Sequence, residues 1–329
     1  MSQREAKYYE PSGKFSPRLP GGLLGYVLIV PPCLALIYAY GQVFFGDSGF
    51  NGIFHLTNPA LAMGGSFLLS WLTKRFVVER NHVRNAKLAG WLGLLVGLEF
   101  LWLQWLCWVL FYAGEGGVFN AMHLLVHPLQ LGERIFQING VGTWAFTMDE
   151  NDIRMRLDGA WLWIPWAIEA LLLTLMPMNA CSARASAPYS ESKSAWFKRL
   201  ELPELFSPTG AQSVVSALLK GREDAFTGVG EAEFVLDDDK DTEVQKLVKD
   251  KKVEAGLKNN FELILYTLDG EKSYVTVNTA LLDNSRGVVF EPSLTLLQVS
   301  DATTRAILEI SARSERRFKA LREEARRKR

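Results

Sequence analysis

The chain has 329 residues, and its 36 Lys and Arg are matched by 36 Asp and Glu, giving a pI near 6.9. That neutral average conceals a contrast between residues 21–178, which hold nine of the ten tryptophans and several long uncharged runs, and the charge-rich residues 182–329, so a membrane half followed by a soluble half is expected. Cys33, Cys107 and Cys181 have neither CxxC nor paired spacing, which excludes a disulfide framework and a cysteine zinc site.

The first twenty residues form a polar lead without a cleavage signature, so the first apolar run is expected to stay as an anchor. A helix needs about 20 apolar residues to cross a hydrocarbon core of roughly 30 Å. Four runs meet or approach that length: Gly22 to Phe44, Pro59 to Thr73, Leu88 to Tyr112 and Ala160 to Met178. The second is short, and "FNGIFHLT" before Pro59 extends it. Pro31 and Pro32 remove backbone donors from the first span, which favours a packed bundle that covers the freed carbonyls.

Lys and Arg set the orientation, because short loops rich in them stay cytoplasmic. Arg4, Lys7, Lys14 and Arg18 precede the first span, and Lys74, Arg75, Arg80, Arg84 and Lys87 join the second to the third, whereas residues 46–58 contain neither Lys nor Arg. The expected architecture is a four-span α-helical membrane bundle over residues 21–180, in the inner (plasma) membrane of a prokaryote. Both termini are then cytoplasmic and the loop 114–159 lies outside. Trp71 and Trp91 at the inner ends, and Trp105, Trp108, Trp161, Trp163 and Trp166 toward the outer ends, suit the interfacial preference of indole.

Two carboxylates interrupt the apolar runs. Glu99 lies eleven residues into the third span and Glu169 nine into the fourth, each about 15 Å deep at 1.5 Å per residue. An ionisable group at that depth faces the bundle interior or a wet cavity. One reading is a proton or ion relay through Glu99, Glu169 and Gln104; the other is a structural hydrogen bond between spans. At 100° per residue, Gly90, Gly93, Gly97 and Gln104 share a sector almost opposite Glu99. The Gly93/Gly97 pair permits close helix approach. With one face for the carboxylate and another for the glycines, the third span is expected to meet a second chain, as homo- or hetero-oligomer.

Outside, His123 and His127 are spaced i, i+4, and His55 could complete a three-histidine metal set, although "VFNAMHLLVHPLQL" reads equally as a short amphipathic surface helix. "FQINGVGTWAF" carries an Asn-Gly turn and predicts a small hairpin. "MDENDIRMRLDG" is acidic without the calcium-loop pattern. No cofactor is specified by any of these patterns.

Residues 181–200 read as a Ser- and Ala-rich linker, followed by a cytoplasmic α+β domain over 201–329. "SPTGAQSVVSALLKG" is a helix with a glycine stop, "EAEFVL" a strand and "DTEVQKLVKDKKVEAGL" an amphipathic helix. "FELILYTLDGEKSYVTVNT" is a β-hairpin turning at Asp269 and Gly270, "RGVVFEPSLTLLQVS" adds strands, and Asp301 caps a long final helix, completing an antiparallel sheet flanked by helices. The acidic run "LDDDKDTE" reads as a solvated helix start. The tail carries Arg313, Arg316, Arg317, Lys319, Arg322, Arg326, Arg327, Lys328 and Arg329, a surface for anionic lipid or an acidic cytoplasmic protein. Without aromatic interleaving it does not suit single-stranded nucleic acid. No phosphate-binding loop, dinucleotide fingerprint or nucleophile elbow is present, and no histidine follows His127.

These features lead to a non-catalytic subunit of a larger inner-membrane assembly for secretion, transport or the envelope, whose cytoplasmic domain recruits a partner. A transporter or channel using the midplane carboxylates, and a membrane metalloenzyme at the outer histidines, are the alternatives.

Overall fold

In a computed structural model of the chain, residues 7–47, 54–113, 118–141, 144–148, 153–157, 159–202, 205–207, 209–222, 224–226, 228–231, 260–283 and 287–313 are described. The chain divides into two compact units. One is Pro11–Ala187, and the other joins the lead, as far as Glu10, to the residues from Pro188 onward.

The first unit is mostly helical, which lets its long, nearly uncharged runs satisfy their own backbone donors and acceptors. Its elements are α1 (Leu19–Asp47), α2 (Phe54–Thr73), α3 (Ala86–Ala113), α4 (Val118–Val126), α5 (Pro128–Val141) and α6 (Gly159–Ser186), with a short hairpin of β1 (Trp144–Met148) and β2 (Ile153–Leu157) before α6. Three of these helices are long and apolar enough to cross a membrane: Leu19–Phe44 within α1, Ala86–Phe111 within α3, and α6. The chain is thus consistent with a membrane protein. The expected second span, α2, is a 20-residue helix that does not reach the same standard of apolarity.

The largest helix interface is α3 against α6. A side chain at Gly93 would place its Cβ 2.4 Å from the Pro177 carbonyl oxygen, and one at Gly97 would lie 2.6 Å from that of Leu173. Pro177 supplies no N–H, so the Leu173 carbonyl loses its intrahelical donor, and this same carbonyl faces the bare backbone of Gly97. Gly90 continues the contact at Met178 and Ser182. The glycine face expected to meet a second chain is therefore covered by the chain's own α6.

At the charged end of α2 the helix widens into a π segment, Lys74–Glu79. Asn81 closes it, its amide donating to the carbonyls of Phe76 (3.0 Å) and Val77 (2.9 Å). Glu79 pairs with Arg75 at 2.8 Å, and Arg184 Nε of α6 lies 2.8 Å from its other oxygen, a contact of charges without an aligned hydrogen bond. The lead runs beside this turn: Arg84 N donates to Lys14 O and Ser16 N to Asn81 O.

The Asn-Gly signal does not make a turn. Asn139 and Gly140 lie within α5, because Leu131, Ile135 and Ile138 recur at helical spacing and pack into the aromatic core beside Trp108 and Trp166. The hairpin forms one element later, between β1 and β2.

The second unit is an antiparallel sheet. Its strands are β5 (Lys198–Glu201), β6 (Leu205–Phe206), β7 (Gly230–Glu231), β8 (Asn260–Thr267), β9 (Tyr274–Asp283) and β10 (Gly287–Gln298), in the order β10-β9-β8-β6-β7, with β5 on the same edge of β8 as β6. Phe261, Leu263 and Leu265 alternate inward on β8 and meet Val275 and Val277 of β9. Helix α7 (Ala211–Leu219) and α8, over residues 301–313, cover that face with Val214, Leu218, Ile307 and Ile310. The β8–β9 hairpin turns at Asp269 and Gly270 with Gly270 at φ 71°, as its sequence predicts. Ser300, one residue before the expected Asp301, caps α8 through its hydroxyl to Thr303 N at 3.2 Å. The amphipathic helix expected after Asp241, most of the strand in "EAEFVL" and the "LDDDKDTE" run lie outside the described residues.

Two segments differ from expectation. The linker predicted over 181–200 is instead the end of α6, a hairpin of β3 (Tyr189–Ser190) and β4 (Ala195–Trp196), and the start of β5. Trp196 stacks edge-on against Tyr189 at 5.0 Å, and the buried Phe197 meets Tyr274 at 5.4 Å, so the aromatics fix this stretch. The lead, read as a plain polar tail, adds to the free edge of β10. Gln298 N donates to Lys7 O (2.8 Å) and Tyr9 N to Leu296 O (3.0 Å).

Glu271 ties the β3–β4 hairpin to the β8–β9 turn, accepting hydrogen bonds from the Ser192 and Ser190 hydroxyls. Those bonds hold its carboxyl below the ordinary carboxylate range. A carboxyl whose folded-state pKa is depressed stabilises above its unfolded value, and the contribution is lost as pH falls through the folded one. Amide exchange in residues 189–196 is therefore expected to accelerate on acidification below the ordinary carboxylate range. The acceleration should be absent in Glu271→Gln, and an unchanged pH profile in that variant would remove the link.

Candidate functional site

Three polar residues of the bundle, Tyr38, Gln42 and Gln104, gather around Glu169. This carboxylate sits on α6, 8 % exposed, one turn past Trp166. The Tyr38 hydroxyl donates to its Oε1, and Gln42 Nε2 donates to the same oxygen at 3.1 Å. Tyr38 and Gln42 are one turn apart on α1, so one helix face delivers both donors. Gln104 of α3 extends the chain, its Nε2 donating to Gln42 Oε1 at 3.1 Å. Three helices are thereby joined by one line of hydrogen bonds, Gln104 to Gln42 to Glu169, with Tyr38 arriving from the other side.

Tyr38 also centres the packing. Its ring meets Phe100 of α3 edge-on at 5.7 Å, and a Cβ at Gly65 of α2 would lie 3.1 Å from it, a tight contact that glycine relieves. The Gln104 Oε1 is buried without a hydrogen-bond partner. Ser66, Ser70 and Thr73 of α2, which might have served the carboxylates, instead donate to the carbonyls of Ala62, Ser66 and Leu69 four residues back.

Glu99 stands apart. Among the described residues it has no hydrogen-bond partner, and its electrostatic neighbour is Tyr26 of α1. It is half-buried on the side of α3 that also carries Trp91, Leu95 and Leu98, all exposed from the bundle. No described hydrogen bond joins the two carboxylates. Of the three proposed relay residues, Glu169 and Gln104 come together through Gln42.

Chemically, the line Gln104–Gln42–Glu169 is suited to holding helices rather than to passing protons. An amide donates from nitrogen and accepts at oxygen, two separate atoms, so it does not pick up a proton on one side and release it on the other as a hydroxyl or carboxyl does. Tyr38 and Gln42 were missed in the sequence because each sits in an apolar span near aromatic neighbours. The available signal was their i, i+4 spacing.

His123 and His127 stack at 4.1 Å with rings 18° apart, and His127 Nδ1 bonds the His123 carbonyl at 2.7 Å. A carbonyl only accepts, so Nδ1 is the donor in that bond. His55 lies in α2, its side chain outside the described residues. Among the described residues no group of three or more His, Cys, Asp or Glu is arranged for a metal ion. The aromatics expected at the outer interface do not all behave alike: Trp105, Trp108 and Trp166 pack edge-on among themselves, Trp105 to Trp166 at 4.6 Å, whereas Trp161 is exposed. Of the basic tail, Arg313 is the last described residue; Arg316, Arg317, Lys319, Arg322, Arg326, Arg327, Lys328 and Arg329 lie outside the described residues. Comparison of the chain with protein families, with curated proteins and with solved structures found no match.

Proposed function

We propose that this chain is a non-catalytic, four-span subunit of a larger inner-membrane assembly, with its sheet domain and basic tail on the cytoplasmic side to recruit a partner. The observation that carries the reading is Glu99. A carboxylate left in lipid costs from about 2.5 kcal/mol upward, and this one has no hydrogen-bond partner among the described residues and lies, half-buried, beside the exposed Leu95 and Leu98. With the glycine face of α3 covered by α6, the Glu99 face is the one a neighbouring membrane chain would cover, supplying the missing donor.

Connectivity favours four crossings over three. Residues 7–9 pair with β10, so the lead and the domain after α6 share one side of the membrane. An even number of crossings must separate them, and α1, α3 and α6 make three. Helix α2 supplies the fourth; its 20 residues reach about 30 Å, and Met63, Phe67 and Trp71 point outward as a lipid-facing side would. The Lys and Arg of the lead and of the turn after α2 favour the cytoplasm for that side.

The test replaces Glu99 by leucine in the tagged full chain and purifies it from native membranes in mild detergent. Co-purifying membrane chains present with the wild type are expected to be lost, while the variant itself keeps its thermal stability. Cysteines placed at Leu95 or Leu98 are expected to give interchain cross-links. Retention of the same companions by Glu99→Leu, with no interchain product, would end this reading.

A further inference from the structure

A groove of about 490 Å³ opens between α1 and the π segment that follows α2. It lies wholly within the helical unit. Arg18 and Arg80 stand at its mouth, both exposed, and among the described residues neither guanidinium has a carboxylate partner. Beyond them the wall becomes apolar, through Tyr26 and Phe76 to Ile29. Gly21 and Gly25 form the floor on α1, with open space where a Cβ would sit, while the neighbouring Gly22 is closed off by Asn81.

The sequence of chemistries along this groove is two cations, then glycine, then hydrocarbon. Arg18 immediately precedes the apolar run of α1, and Arg80 immediately follows the π segment, so both mark the end of the apolar layer. Guanidinium groups at that depth suit a phosphate, which they can grip through paired N–H donors. The open space over Gly21 and Gly25 leaves room for an extended chain.

We propose that this groove is a binding site for an anionic phospholipid, with the phosphate held between Arg18 and Arg80 and one acyl chain lying over Gly21 and Gly25 toward Ile29. Basic clefts between membrane helices on the cytoplasmic side are suited to such headgroups. A zwitterionic lipid brings its own cation to the mouth and competes with the arginines for the phosphate. Free phosphate would find the cations but nothing for the slot.

The full chain, purified in detergent, is titrated with phosphatidylglycerol or with phosphatidylcholine of identical acyl chains, and bound lipid is counted by native mass spectrometry. One tightly held phosphatidylglycerol is expected, with phosphatidylcholine much weaker. Arg18→Gln combined with Arg80→Gln should weaken it about thirtyfold, the loss of two charges at a membrane surface. Gly25→Leu keeps both arginines but fills the slot, and should weaken it comparably. Glycerol phosphate should not compete. A photoreactive acyl chain on the unaltered protein should cross-link to the peptides carrying Ile29 or Phe76, a readout independent of any variant. Equal binding of the two lipids, binding indifferent to Gly25→Leu, displacement by glycerol phosphate, or cross-links confined to other helices would each overturn the proposal.

Discussion

Gly93→Ala, the smallest change possible at that position, is expected to destabilise the membrane unit by about 3 kcal/mol, near the upper end of overpacking costs. On helix propensity alone the same change would stabilise by up to about 1 kcal/mol. Packing wins because the new methyl carbon would sit 2.4 Å from the Pro177 carbonyl oxygen and 2.9 Å from Met178 Cα. Both obstacles are backbone, so neither can rotate aside, and the helices must separate along their whole contact. Gly90→Ala is the control. There the methyl meets Ser182 Cβ at 3.5 Å, an ordinary contact, and propensity should make the variant neutral or slightly more stable. Thermal unfolding of both variants in detergent separates the two cases. Equal midpoints would mean that α3 and α6 are not held at this distance.

The sequence showed the third span's small face through its GxxxG pair, but not what covered it. Pro177 and Leu173 are some eighty residues away along the chain, and nothing local announces that a proline-freed carbonyl will seek a bare glycine. Local chemistry was legible where local chemistry decides. The Asp269–Gly270 turn is such a case, because a left-handed glycine and two alternating strands are enough to specify a hairpin. The Asn139–Gly140 pair is the counter-example: the same turn signal yielded to three apolar residues that needed burial at helical spacing. The lead's pairing with β10 was invisible for a different reason. It is made through main-chain atoms of Lys7 and Tyr9, which leave no pattern of side chains to read.

That pairing constrains the membrane unit as well. A chain that enters the bundle from the sheet's edge and returns to the same sheet after α6 has two covalent connections to its soluble unit, at residues 10–11 and 187–188. These connections lead into α1 and out of α6. Those are the two helices that Tyr38, Gln42 and Glu169 join.

Substitutions at Glu169 are expected to split according to whether they keep an acceptor. Glu169→Leu leaves the Tyr38 hydroxyl and the Gln42 amide without their partner inside the bundle, and each stranded donor costs about 1–3 kcal/mol. A total loss of about 2–6 kcal/mol follows. Glu169→Gln has the same length and retains an oxygen that both donors can reach, so its loss should stay within about 1.5 kcal/mol, the value of a neutral hydrogen bond. The same pair of variants separates the two readings of the carboxylate. A clamp needs an acceptor, so Glu169→Gln should still assemble with its companions and only Glu169→Leu should fail. A relay needs a group that gains and releases a proton, so flux into liposomes would vanish in Glu169→Gln although that variant remains folded. The two amides in line with Glu169, Gln42 and Gln104, favour the first outcome, since neither passes a proton onward. Proton flux in the wild type that is abolished by glutamine at 169, in a protein of unchanged stability, would reverse that assignment.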